Sequence, residues 1–135
     1  MPGRKLDDGL STSPQITPEE VKIVAAAGFR AVISNRPDGE EPGQPTAADM
    51  KAAAEKHGLA FRHIPVTGGG IGAEDIKAMA DALDTLPGPI FGFCRSGTRT
   101  AMLWALARAP SSDADTLIAA ARDAGYDLSG LRCRL

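Results

Sequence analysis

Residues Pro89–Ala107 read PIFGFCRSGTRTAMLWALA: a short apolar run ends in Cys94, a small polar loop follows, and an apolar helical stretch begins almost at once. Gly97 lets the backbone of that loop turn so that successive N–H groups face inward and form a concave anion nest. The positive N-terminal end of the following helix attracts an anion to the same place and favours the thiolate form of a cysteine there, which is the reactive form. Arg99 brings a planar fork of donors suited to an oxyanion, and Ser96 or Thr98 offers a hydroxyl. Cys94 and Arg99 are therefore the catalytic candidates, and Arg95, Ser96, Gly97, Thr98 and Thr100 the candidates for holding an anion. A thiolate above an anion nest is equipped to attack a centre that itself carries negative charge, such as a phosphate ester, thiosulfate or a persulfide.

The elements around this loop can be read from patterning. ITPEEVKIVAAAGF opens with a capping box, Thr17 with Glu20 three residues on and Pro18 at the first helical position, and Gly28 stops it. RAVISNRP reads as a buried strand ended by Pro37, and DGEEPGQPT as a loop. AADMKAAAEKHG is a helix stopped by Gly58, LAFRHIPV a strand, TGGGIG a loop, AEDIKAMADALDTL a helix and PGPIFGFC a strand. TAMLWALARA is a buried helix closed by Pro110, and SDADTLIAAARDAGY a last amphipathic helix capped by Ser112 or Asp113. This β-α-β-α-β-α-β-α-α order predicts an α/β three-layer sandwich with a parallel-rich central sheet, in which ligands sit at the carboxyl ends of the strands. Cys94 falls at such an end.

The 135 residues show no composition break and read as one domain, 1–135. A formal net charge of −2 leaves no electrostatic footprint for nucleic acid or an anionic membrane surface. The N-terminal stretch lacks the apolar core of a signal peptide, and no run approaches the ~18 apolar residues of a membrane helix. A cytoplasmic protein is expected. Two cysteines, Cys94 and Cys133, and two histidines, His57 and His63, show no metal-ligand spacing, so neither metal nor cofactor is expected.

FCRSGTRT resembles the active-site loops of two groups of cysteine enzymes, the protein tyrosine phosphatases and the rhodaneses. More widely, LSTSPQITPEEVKIVAAAGFRAVISNRPDGEEPGQPT, FRHIPVTGGG, FGFCRSGTRTAMLWALA and AGYDLSGLR resemble the bacterial β-lactamase hydrolase-like protein, phosphatase-like domain family, over nearly the whole chain. The resemblance implies a protein tyrosine phosphatase-like α/β fold, a thiolate at Cys94 and anion binding through Arg99. Members act either as phosphatases or as sulfur transferases, so it leaves the substrate open.

Two departures from the phosphatase pattern bear on that choice. Tyrosine phosphatases place one residue more between Cys and Arg than the four found here, Arg95 to Thr98, and Thr100 stands where their arginine would be. The rhodanese loop has this shorter form, and a tighter ring suits a single outer sulfur. Phosphate ester cleavage also calls for a general acid, and the loop that carries it in dual-specificity phosphatases reads TGGGIG here, with no carboxylate before Glu74. Sulfur transfer needs no such acid, because its leaving group is a stable anion.

The leading expectation is thus a sulfurtransferase carrying a sulfane sulfur as a Cys94 persulfide, from a small-molecule donor to cyanide or a protein thiol acceptor. The alternative is a phosphatase working on a phosphate ester through a Cys94 phosphoenzyme, with an acid borrowed from Asp38, Glu40 or Glu41. A third reading is a non-catalytic anion-binding or redox-sensing module. Arg36 and Asp38, just past a strand on the same sheet edge, are candidates to line the pocket or to serve ordinary turn chemistry. His63 reads as a hydrogen-bonded core residue, Gly68, Gly69 and Gly70 as a mobile lid or a plain loop, and Cys133 as a bystander or a resolving thiol. Trp104, Met102 and Leu106 fit a buried helix face.

Overall fold

A computed structural model of the chain describes residues 3–67 and 70–135. Gly68 and Gly69, two of the three glycines of the candidate lid, lie outside the described residues. Five strands form one sheet: β1 (Arg4–Lys5), β2 (Leu10–Ser13), β3 (Ala31–Ser34), β4 (Ala60–His63) and β5 (Ile90–Phe93). Their spatial order is β1-β2-β5-β3-β4, parallel throughout except for β1 against β2. The helices are α1 (Val21–Ala26), α2 (Ala47–Lys56), α3 (Ala73–Thr85), α4 (Thr98–Arg108) and α5 (Ala114–Asp123), with 3₁₀ turns at Pro18–Glu20 and Ser129–Arg134.

Alternation along the strands divides the core between two faces. Ala31, Ile33 and Ile90 pack with Ala101, Leu103, Trp104 and Leu117 on the α3, α4 and α5 side. Val32, Phe91 and Phe93 pack with Val21, Val24 and Met50 on the α1 and α2 side. Phe29 meets Phe91 edge to face with ring centroids 5.4 Å apart, a pairing that adds about 1 kcal/mol beyond the area it buries. The result is the expected α/β/α sandwich with a parallel-rich sheet.

Local signals act largely as read. Thr17 and Glu20 form the reciprocal capping box, although the residues it caps make a 3₁₀ turn before α1 begins at Val21. Asp113 caps α5, accepting from the Thr116 N–H. Trp104 and Leu106 are buried, whereas Met102 is half-buried on a cleft wall. Strands β1 and β2 carry no apolar alternation to announce them. Ser11, Thr12 and Ser13 are all buried, because β2 fills the space beside the central strand β5. At β5 itself Gly92 is required by proximity: a Cβ there would stand 2.7 Å from the Thr100 methyl carbon, so its absence lets α4 lie close against the strand. Among the described residues no helix is long and apolar enough to cross a membrane.

Candidate active site

β5 runs through the middle of the sheet and ends at Phe93, which places Cys94 where β2, β5 and β3 finish together. The parallel ladders hold that end in place, with Asn35 N–H donating to the Phe93 carbonyl at 2.8 Å and Cys94 N–H to the Ser13 carbonyl at 3.4 Å. Cys94 is a free thiol and fully buried. The chain then turns at Gly97, whose φ of +96° only glycine adopts without strain, and α4 starts at Thr98.

This turn brings one of its donors onto the sulfur. The Gly97 N–H donates to Cys94 Sγ at 3.1 Å. Thr98, Arg99 and Thr100 form the first turn of α4, where N–H groups have no partner within the helix. Among the described residues the N–H groups of Arg95, Ser96, Arg99 and Thr100 donate to no protein acceptor. The loop is braced from outside. Thr12 Oγ1 donates to the Gly97 carbonyl at 2.8 Å, Gln15 N–H to the Arg95 carbonyl at 3.2 Å and Tyr126 OH to the Ser96 carbonyl at 3.0 Å. Burial, and then the charge of the Cys94 thiolate, push the Tyr126 phenol up, so it remains a donor.

Arg99 folds back over the loop. Its two terminal nitrogens grip Glu40 at 2.7 and 2.9 Å, and Nη1 also donates to the Val66 carbonyl at 2.9 Å. Nε takes part in none of these bonds. The Arg99 pKa is raised first by the Glu40 carboxylate and then, against its own burial, by the charge of Cys94. Glu40 in turn accepts from Arg36 Nε at 2.8 Å, while Arg36 Nη2 bonds Glu41 at 2.7 Å and Nη1 bonds Gln15 at 3.2 Å. The Arg99 guanidinium, aided by Arg36, drives Glu40 from 4.5 to about 2 despite partial burial.

The candidates from sequence therefore occupy different places. Cys94, Gly97 and Arg99 come together; Arg95 and Ser96 are exposed on the loop, and the Ser96 hydroxyl donates to the Thr98 hydroxyl at 3.0 Å. Thr100 is fully buried and its hydroxyl donates to Asn35 Oδ1 at 2.8 Å, so the hydroxyl is taken up in the core and only its N–H is without a protein partner among the described residues. Arg36 does not line the pocket: it is 2 % exposed and holds Glu40 from behind. Asp38 points away, accepting from the Ala47 N–H at 2.8 Å at the start of α2. Asp38 and Glu40 are thus poor sources of a borrowed proton, the first by position and the second because it stays ionised. His63 Nε2 donates to the Arg36 carbonyl at 2.9 Å, as a hydrogen-bonded structural histidine. Cys133 is exposed.

Sequence reasoning passed over Thr12, Gln15 and Tyr126, and considered Glu40 only as an acid. The one available signal for Glu40 was its pairing with Arg36 four residues earlier, which says nothing about Arg99.

Comparisons with known proteins bear on this geometry. Residues 3–112 match the family described as beta-lactamase hydrolase-like protein, phosphatase-like domain. The beta-lactamase hydrolase-like protein of Xylella fastidiosa is 42% identical over 101 residues, 75% of this chain and 23% of that protein. Its counterpart in Agrobacterium fabrum is 36% identical over 105 residues, 78% of this chain and 24% of that protein. The chain thus spans about a quarter of the length of these curated relatives. A crystal structure from Neisseria meningitidis, provisionally named a phosphatase, superposes with a TM-score of 0.88 at 36% identity, covering 99% of this chain and 96% of that one. The kinase associated phosphatase superposes with a TM-score of 0.73 at 14% identity over 93% of this chain and 80% of its own, a likeness of fold. The fold is that of the protein tyrosine phosphatase-like enzymes, and the comparisons favour phosphatase-like cysteine chemistry over sulfur transfer. On the match across residues 3–112 and the relatives that share it, the chain belongs to the beta-lactamase hydrolase-like protein, phosphatase-like domain family.

Proposed function

We propose that this domain hydrolyses phosphate monoesters of acidic hydroxyls, aryl phosphates above all, through a phosphoryl-Cys94 intermediate. The observation that carries the reading is the run of unengaged N–H donors in the loop that follows a buried cysteine, whose sulfur already accepts from one of that loop's N–H groups, with Arg99 in the first turn of the next helix. In the first step the Cys94 thiolate attacks phosphorus, the P–O bond to the leaving group breaks, and the N–H groups with Arg99 Nε hold the equatorial oxygens. In the second, water attacks phosphorus and the S–P electron pair returns to Cys94 as thiolate, releasing inorganic phosphate.

The restriction to acidic hydroxyls follows from missing proton donors. Asp75 is taken up in capping, accepting from the Gly72 N–H at 2.9 Å, and Glu40 is ionised at neutral pH. Without a general acid the leaving group must depart as a stable anion, which a phenoxide does and an alkoxide does not. Among structural neighbours, Pseudomonas aeruginosa TpbA was solved with phosphotyrosine bound, which is consistent with an aryl ester in this fold.

Sulfur transfer is a second reading, favoured by the four-residue spacing from Cys94 to Arg99 and by the same lack of an acid. Its step would transfer the outer sulfur of thiosulfate to the Cys94 thiolate, with sulfite leaving, and then to a thiol or cyanide. One preparation decides between the two: intact mass and turnover with p-nitrophenyl phosphate, and with thiosulfate plus cyanide. Phosphate release, lost by ~10³-fold or more in Cys94→Ser, is the expected result. One-sulfur loading of Cys94 without phosphate turnover would overturn it.

A further inference from the structure

A cleft of about 400 Å³ opens beside the loop and shares Thr98 and Arg99 with it. Its other walls are Thr67, Gly70, Ile71, Met102 and Arg134. Ile71 and Met102 supply apolar surface for a flat ring, and Thr67 and Thr98 supply hydroxyls. Arg134 supplies charge. It donates from Nη2 to the Ile71 carbonyl at 3.0 Å and, among the described residues, has no carboxylate within ion-pair distance. Among the described residues no acidic side chain lines the cleft, and the carboxylate bonded to its Arg99 is Glu40, which Arg36 also holds.

We infer that this cleft is the leaving-group subsite, and that it selects aryl phosphates bearing a second anionic group, a carboxylate on the ring, through Arg134. The inference rests on the phosphatase reading. A phosphoryl group seated over Cys94 and held by Arg99 has its ester oxygen directed away from the sulfur, since attacking and leaving atoms lie in line. The cleft adjoins Arg99, so an aryl group on that oxygen enters it against Ile71 and Met102. A ring carboxylate then meets a guanidinium that needs no carboxylate to be displaced. Arg134 belongs to the 3₁₀ turn Ser129–Arg134, beyond the residues 3–112 that match the family. Selectivity of this kind would therefore belong to the C-terminal segment.

The test compares 4-carboxyphenyl phosphate with 4-carbamoylphenyl phosphate, which has the same shape and no charge. Affinity is measured by calorimetry on the Cys94→Ser protein, and hydrolysis on the wild type. The carboxylate ester should bind about fivefold more tightly, the scale of a partly exposed ion pair, and Arg134→Gln should reduce that preference to within twofold. Equal binding of the two esters, or a preference that persists in Arg134→Gln, overturns the subsite while leaving a phosphatase. Binding of neither ester, with no hydrolysis of either by the wild type, overturns both the phosphatase reading and the subsite resting on it.

Discussion

The carboxylate of Glu40 grips both terminal nitrogens of Arg99, at 2.7 and 2.9 Å, across 59 positions of sequence. This pairing fixes the plane of the guanidinium and leaves Nε out of the bonds to Glu40. Glu40 is itself fixed by Arg36, whose burial and bond to Gln15 allow it no other place. On the proposed function Glu40 is a positioning residue: it orders Arg99 and does not itself meet the substrate.

Replacing Glu40 by Gln keeps the shape and removes the charge from both arginines. The expected result is a fall of about tenfold in kcat/KM for p-nitrophenyl phosphate, from loss of a charge-assisted bidentate pair that aims Arg99. Glu40→Asp, which keeps the charge at shorter reach, should recover part of it. Equal kcat/KM in wild type and Glu40→Gln would show that Arg99 is aimed by something else.

The same carboxylate predicts a pH dependence of stability. Its pKa in the folded protein is about 2 against an ordinary 4.5, so the folded state holds the ionised form more tightly than the unfolded chain does. That contribution is fully present above about pH 4.5 and is lost as pH falls toward 2. Urea unfolding of wild type and Glu40→Gln should therefore show a difference at about pH 6 that narrows by about pH 3. A constant difference would contradict the assignment.

Thr100→Val separates the buried hydroxyl from the backbone N–H, which the proposed function assigns to the substrate. The variant leaves Asn35 Oδ1 without its donor inside the protein, which costs on the order of 1–3 kcal/mol in urea unfolding. KM for an aryl phosphate should stay within about twofold, because only the N–H serves the substrate. A large KM change with unaltered stability would move the hydroxyl into the site.

Gly97→Ala tests the turn from two sides. A Cβ at this position would strike the Tyr126 hydroxyl, and alanine resists a φ of +96°. A stability loss of about 1–3 kcal/mol is expected, with kcat reduced as well, since the Gly97 N–H is the donor that bonds the thiol. Tyr126→Phe, which removes only the bond to the Ser96 carbonyl, should cost about 1 kcal/mol. Wild-type stability in Gly97→Ala would mean that the turn and Tyr126 can shift freely.

The Cys94 loop was legible in the sequence because it is local: strand, cysteine, glycine turn and helix start follow one another within a dozen residues. Helix caps at Thr17, Thr46 and Asp113 are local too, and the capping interactions of Thr17 and Asp113 follow the sequence reading. What escaped depends on which strands become neighbours. Arg36 looked like a pocket residue because it follows a strand on the correct edge, but the strand order turns its guanidinium under Glu40. Thr12 and Tyr126 brace the loop from opposite ends of the chain, and neither position carries a pattern of its own. β2 stands in the expected order only as a leading strand with no residues assigned to it, because its buried residues Ser11, Thr12 and Ser13 bear hydroxyls and hydrophobic periodicity could not place it.

The strand order carries a consequence for biosynthesis. β5 comes last of the five strands in sequence yet lies between β2 and β3, which pair with it and not with each other. A nascent chain that has emerged only as far as β4 can form the pair β1-β2 and the pair β3-β4, each with an open edge and no link between them. Those edges stay available to wrong partners until residues 90–93 insert. Cys94 follows directly on the inserting strand, so its backbone N–H reaches the Ser13 carbonyl only in the step that also closes the sheet.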